Sequence, residues 1–262
     1  MEYFFNNDQV YYEASYTNKS NKTIILLHGW GMNIITFREV FKEIARHHNV
    51  IAIDLPGFGN SSLNRAYSLD DYSELIKQLI IDLKLNNVVI LGHSFGGRIL
   101  INLNKYNLDQ IIGLILVDSA GIKHFNLLTK YKVLKYKTRK KLYKLLSLKQ
   151  KLKILEETSG SIDYINSSPL LKETMNKTIH VNLKPYLKDI KLDTLILWGK
   201  NDYTTSLKDG MIMNENIKNS SLIVFESSGH FPYLDETTKF NLIVLSYLDS
   251  LEVKNGWLYY YL

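Results

Sequence analysis

The chain predicts an α/β protein built on a mostly parallel, doubly wound sheet, and three features of its sequence lead there. Short apolar runs recur along its length, helical stretches separate them, and the runs are continuous instead of alternating, as strands covered on both faces require. Six runs fit: Thr23-Ile24-Ile25-Leu26-Leu27, Val50-Ile51-Ala52-Ile53, Val88-Val89-Ile90-Leu91, Ile112-Gly113-Leu114-Ile115-Leu116-Val117, Thr194-Leu195-Ile196-Leu197-Trp198 and Ser221-Leu222-Ile223-Val224-Phe225.

The flanking elements follow in order. The first twenty or so residues are Tyr-rich and alternate around Val10-Tyr11-Tyr12-Glu13-Ala14, which predicts an antiparallel hairpin on one edge of the sheet. Ser68 followed by Leu69-Asp70-Asp71 opens a helix with an N-cap and early acids. Residues 239–251 carry apolar positions at helical spacing. Between Gly121 and about Lys191 the strand rhythm breaks. Leu127, Tyr131 and Leu134, then Leu142, Leu145 and Leu146, recur at three- and four-residue intervals, so this stretch reads as a helical insertion packed onto the body. The expected organisation is a core from residues 1–120 and 192–262, interrupted by a cap at 121–191. The aromatic tail from Asn255 to Leu262 is expected to pack on the body, with a dimer contact as the other reading.

Composition removes several classes of function. At 262 residues with 22% charged and 45% hydrophobic residues, one sizeable core is within reach. No apolar run approaches the roughly 18 residues of a membrane span, and the start lacks the pattern of a signal peptide, so a soluble, cytoplasmic protein is expected. The absence of cysteine excludes thiol nucleophiles and zinc-thiolate sites, and the seven histidines form no metal-binding motif; neither metal nor cofactor is expected. The net charge of +6 is uneven. Between Gly121 and Leu155 lie twelve Lys or Arg and no Asp or Glu, which leaves 20 basic against 26 acidic residues elsewhere. Such a field steers an anionic partner; solvated lysine-rich helix faces present the same pattern.

Chemistry concentrates at the strand ends. Gly92-His93-Ser94-Phe95-Gly96 stands between an apolar run and a helix-like segment, the strand, sharp turn and helix setting of a G-x-S-x-G nucleophile elbow. A serine there needs a base, and the base needs a group that fixes its tautomer. His230, in the loop after the last strand, is the histidine in the right place; His28 and His93 flank other motifs and read as structural. For the acid, both Asp118 and Asp202 sit at strand ends, and Asp202 is favoured because its loop neighbours that of His230. Asp54 reads as a brace for its own turn. Oxyanion donors are expected from the backbone N–H groups of Phe95 and of Trp30, the latter set between Gly29 and Gly31.

These blocks, together with Asp54-Leu55-Pro56-Gly57-Phe58-Gly59-Asn60-Ser61, Trp198-Gly199-Lys200-Asn201-Asp202 and Gly229-His230, resemble the α/β-hydrolase superfamily over nearly the whole chain. The first blocks are most similar to the pimeloyl-carrier-protein methyl esterase group and its small carboxylesterase relatives. The resemblance implies an α/β-hydrolase fold with a helical cap between the sixth and seventh strands. It also implies a triad of Ser94, Asp202 and His230, with Trp30 and Phe95 as oxyanion donors. Two positions depart from the family pattern: Ser206 replaces a frequent proline, and Asp235-Glu236-Thr237 replaces Glu-x-Pro. Serine at the elbow argues against the aspartyl-ester chemistry of dehalogenase and epoxide hydrolase relatives.

The function expected is hydrolysis of a small or medium acyl ester through an acyl-enzyme, in the sharpest case a methyl ester on an acidic acyl carrier protein docked against Lys130 to Lys153. Phe125, Leu128 and Tyr131 of the cap are expected to wall the acyl pocket, with Leu127 and Leu134 beside them. The same triad also serves amide, thioester or C–C cleavage and perhydrolysis, and a hydrolase pocket that only binds is a receptor. Nucleic acid is not an expected partner.

Overall fold

The structure, a computed structural model, describes residues 1–123, 127–158 and 162–251. Its strands are β1 (Glu2–Phe5), β2 (Asp8–Ser15), β3 (Thr23–Leu27), β4 (Asn49–Ile53), β5 (Val88–His93), β6 (Ile111–Val117), β7 (Asp193–Gly199) and β8 (Ser220–Phe225). The helices are α1 (Arg38–Ala45), α2 (Leu69–Asp82), α3 (Phe95–Leu103), α4 (Leu127–Leu145), α5 (Lys149–Thr158), α6 (Ile162–Asn166), α7 (Pro169–Ile179), α8 (Leu207–Asn216), α9 (Pro232–Asp235) and α10 (Thr237–Ser250). None of the described helices is long and apolar enough to cross a membrane. The aromatic tail, from Asn255 onward, lies outside the described residues.

The strands form one sheet in the order β1-β2-β4-β3-β5-β6-β7-β8. β1 and β2 make the edge hairpin and β2 runs antiparallel to β4, while every pair from β4 to β8 is parallel. This is the α/β-hydrolase fold. The continuous apolar runs are explained by two cores. Alternate residues Ile25, Leu27, Ile90, Leu116, Ile196 and Trp198 face α2, α3 and α8. Their neighbours Ile24, Leu26, Val89, Leu91, Val117 and Leu197 face α1 and α10. Period-two alternation is present, but both phases are apolar because both faces are covered.

The order also sets the site. β4 and β5 lie on opposite sides of β3, so the loops after β3 and β5 diverge at a switch point and leave a crevice at the carboxyl edge. Helix α2 starts where Ser68 and Asp71 exchange hydrogen bonds in a capping box.

Helices α4 to α7 occupy the stretch between β6 and β7. Its later part is fastened to the body. Thr174 accepts the Tyr67 N–H at 3.1 Å, and Leu171 packs over Gly57 and Leu63. From α3, the buried guanidinium of Arg98 donates to Thr178 O at 3.1 Å and Val181 O at 2.7 Å, supplying donors to carbonyls at the end of α7. Burial lowers the pKa of Arg98 to about 10, and the group remains cationic. Beyond it Leu183, Leu187 and Ile190 join the α2/α3 core.

Replacing Arg98 with Met leaves those carbonyls without their charged donor. Unfolding in urea is expected to show a stability loss of about 2–4 kcal/mol, with hydrogen exchange accelerated first in residues 169–183.

Candidate active site

Every sequence-predicted reactive residue emerges from the carboxyl edge of the sheet. Ser94 follows β5, Asp118 follows β6, Asp202 lies three residues past β7, and His230 lies five past β8. Ser94 has φ 50° and ψ −103°, a conformation costing on the order of 1–3 kcal/mol for a residue with a side chain. The turn is held by Ser94 N–H donating to Val117 O and by Ser94 O accepting from Arg98 N and Ala120 N. Phe95 is the first residue of α3, where backbone N–H groups have no partner inside the helix.

The loop after β3 meets this turn. A Cβ on Gly29 would lie 2.8 Å from His93 Nδ1 and 3.4 Å from Ser94 Cβ, so only glycine fits. Trp30 packs edge-on against Phe95 and Phe58, at ring-centroid separations of 5.2 and 5.0 Å. His28 holds the loop: Nδ1 donates to Gly29 O and Nε2 accepts the Leu55 N–H, and burial keeps it neutral with a pKa of about 4. Asp54 does more than brace its own turn, because Oδ2 accepts the Asn60 N–H while Oδ1 accepts that of Ile34, joining two loops.

Asp202 and His230 meet directly. His230 Nδ1 lies 2.7 Å from Asp202 Oδ2. Asp202 also accepts from Thr205 Oγ1 at 2.6 Å and from the N–H groups of Thr204 and Thr205. Burial alone would raise its pKa, but the hydrogen bonds from His230 and Thr205 override it and hold the carboxylate at about 2. An ionised Asp202 fixes His230 with its proton on Nδ1, leaving Nε2 as an acceptor.

His93 lies against this pair. Its Nε2 donates to His230 O at 2.8 Å, Tyr233 Oη lies 3.3 Å from its Nδ1, and its ring centroid lies 4.7 Å from that of His230 with the planes tilted by 54°. Burial first, and then the neighbouring His230, depress its pKa to about 3. A neutral His93 anchors the His230 loop without adding positive charge beside that ring.

Asp118 behaves oppositely to Asp202. Its Oδ1 accepts the Gly199 N–H at 3.0 Å, its Oδ2 has no hydrogen-bond partner, and its backbone is left-handed with φ 41°. Burial, followed by the nearby Asp202 carboxylate against the opposing Gly199 N–H, pushes its pKa up to about 9. Ligand-type atoms of Asp118, Asp202 and His230 fall within 4.8 Å of one another. Within that group Asp202 and His230 are hydrogen-bonded to each other.

Sequence reasoning missed several of these supports. Thr205 joins Asp202 to the Asp118 carbonyl. The departures from the family pattern also have partners. Ser206 caps α8, Asp235 Oδ2 accepts the Gly229 N–H, and Glu236 Oε1 accepts from Ser227 N and Ser228 Oγ. Asp235 and Glu236 brace the His230 loop. The expected pocket wall fares differently. Phe125 and the side chains of Leu127 and Leu128 lie outside what the structure describes, while Tyr131 and Leu134 are 63% and 62% exposed. They stand at the surface and do not wall an enclosed pocket.

A carboxylate hydrogen-bonded to a histidine and a serine in a strained turn thus share the carboxyl edge of a doubly wound sheet. The chain belongs to the alpha/beta hydrolase family, whose model matches residues 24–241. It is 25% identical to the pimeloyl-[acyl-carrier protein] methyl ester esterase of Vibrio cholerae, over 83% of this chain and 90% of that protein. It is 25% identical to a 2-hydroxy-6-oxononadienedioate/2-hydroxy-6-oxononatrienedioate hydrolase of Escherichia coli, over 88% of each. An esterase from Exiguobacterium antarcticum superposes with a TM-score of 0.72 at 25% identity, over 93% of this chain and 96% of that one.

The opposed carboxyls generate a stability prediction. A carboxyl raised from 3.8 to about 9 binds its proton in the folded state where the unfolded chain has lost it, so it costs stability progressively as pH rises from about 4 to 9. Asp118→Asn keeps an acceptor for Gly199 N–H and carries no titration. Thermal melts should show the variant gaining on wild type as pH rises through that window, with no gain near pH 4.

Proposed function

We propose that this chain is a serine hydrolase of small or medium carboxylic esters, working through an acyl-enzyme. The 2.7 Å Asp202–His230 hydrogen bond, at the same sheet edge as a serine in the strained elbow conformation, carries the reading. Residues 121–191 serve as its cap, over a core from 1–120 and 192–262.

Ser94 Oγ attacks the ester carbonyl carbon as its proton passes to His230 Nε2, and Asp202 stabilises the imidazolium through Nδ1. The oxyanion is received by the N–H groups of Phe95 and Trp30, each worth a factor of about 10²–10³ in rate. Collapse breaks the ester C–O bond, and the alkoxide leaves with the proton from His230. Water then adds to the acyl carbon, giving its proton to His230; the second collapse returns that proton to Ser94 Oγ and releases the acid. The pair at Asp118 and Asp202 supports this assignment of the acid, because only an ionised carboxylate stabilises the imidazolium.

A fluorophosphonate probe followed by a series of aryl and methyl esters tests the reading, and a methyl ester on an acyl carrier protein belongs in the series because of the Vibrio relative. Wild type should label and turn over, and Ser94→Ala should do neither. Asp202→Asn is expected to lose on the order of 10³–10⁴ in kcat, and Asp118→Asn to stay within about threefold of wild type. Labelling that persists in Ser94→Ala, or a folded wild type inert to every ester, sinks the assignment.

A further inference from the structure

Helix α4 presents an apolar stripe to solvent. At 100° per residue, Tyr131, Leu134, Thr138, Leu142 and Leu145 fall on one face, a row about 21 Å long. Such a row normally marks the side of a helix that packs inward. Here it is the opposite: Tyr131 and Leu134 stand out as already described, Leu142 is 47% exposed and Leu145 79%. Tyr136, Lys140 and Tyr143, on the face turned away from the row, are half-buried. Among the described residues the substantial packing of α4 is with α5, and the apolar row is left outward.

The flanks of the row are basic. Lys137, Lys141 and Lys144 border it on one side, Lys135 and Arg139 on the other, and all five are exposed. They belong to the stretch from Gly121 to Leu155 that contains twelve basic residues and no acid.

We propose that α4 docks this chain onto an anionic lipid surface, its apolar row entering the headgroup boundary and its flanking lysines pairing with lipid phosphates. The two observations demand different things of a partner. An acidic protein satisfies the lysines but gives no reason for four large apolar side chains aligned and exposed along a convex helix. A second copy buries the row but sets two strongly basic segments against each other. An anionic membrane surface meets both demands at once: leucines gain burial, tyrosine sits at the boundary, and long lysine side chains reach the phosphates from either flank. The inference is independent of the chemistry at Ser94 and is read on Ser94→Ala as well as wild type.

The test is co-sedimentation of the full chain with vesicles of phosphatidylcholine alone or containing 30% phosphatidylglycerol, a composition chosen at about the anionic content that makes lysine attraction measurable. Binding is expected on the anionic vesicles only and should weaken in high salt. Lys137→Gln with Lys141→Gln and Lys144→Gln should lower partitioning on the order of 100-fold, at about 1 kcal/mol per lysine. Leu142→Ser with Leu145→Ser should lower it by on the order of tenfold or more. A second measurement does not depend on those variants folding. Because the chain has no cysteine, Leu145→Cys takes an environment-sensitive fluorophore at a single site, and Leu242→Cys on α10, 64% exposed, is the control. Anionic vesicles should blue-shift the first label and leave the second unchanged. No sedimentation with anionic vesicles, binding indifferent to charge, or equal shifts at both labels overturns the proposal. If vesicles do not bind, a dimer dispersed by the leucine variants would give the face to a second copy, and retention on acyl carrier protein would give it to that protein.

Discussion

The close approach of β5, α3 and β3 around one serine is the constraint on which the site depends. A Cβ on Gly96 would sit 2.2 Å from Leu27 O, and one on Gly92 would sit 2.5 Å from the Gly96 carbonyl carbon. Without those two side chains α3 begins immediately after β5, against the end of β3. The chain then has no room for a relaxed connection, and Ser94 takes the strained conformation between them. The same approach brings the His28-Gly29-Trp30 loop against the elbow. One steric fact therefore sets the half-buried serine at a helix start and draws a second loop to it.

The electrostatics around that turn are arranged by burial and hydrogen bonding rather than by net charge. Two carboxyls from adjacent strands occupy one neighbourhood, and they diverge because their partners differ. Asp202 receives donors on both oxygens and stays ionised; Asp118 has one backbone donor and an orphaned oxygen and keeps its proton. Were both ionised, their repulsion would fall on the residues that orient His230. His93 follows the same logic, since an imidazolium within ring contact would oppose protonation of His230. The cost of holding Asp118 in this site is borne by the folded body, whose two covered sheet faces provide the stability to tolerate it.

The legible parts of the sequence were those in which a local pattern dictates backbone geometry. Continuous apolar runs at the strands, glycines around Ser94 and the capping serine at 68 all act over a few residues, and each appears where it was expected. The Asp202–His230 contact was legible for a related reason: in a parallel sheet, chain order nearly determines which loops meet. The supports were not legible. Thr205, Arg98 and Glu236 look like any polar residues until the fold supplies partners up to 87 residues away in sequence. The protonation of Asp118 was hidden too, because an aspartate at a strand end reads the same whether donors surround it or not.

Helix α4 marks a different limit. Its periodicity announces an apolar face, and the natural inference is that such a face turns inward, toward an acyl pocket. Periodicity encodes only that the face is apolar; the medium that covers it depends on what lies within reach. In α7 the body is within reach, and Leu171, Thr174 and the carbonyls bound by Arg98 all engage it. In α4 the lysines that border the row resist burial against a protein core, because each would have to be desolvated without a partner. Charge on the flanks thus forbids the inward packing that the apolar row alone would predict. The insertion is divided accordingly, with one helix committed to the body and another whose apolar row stands exposed among the described residues.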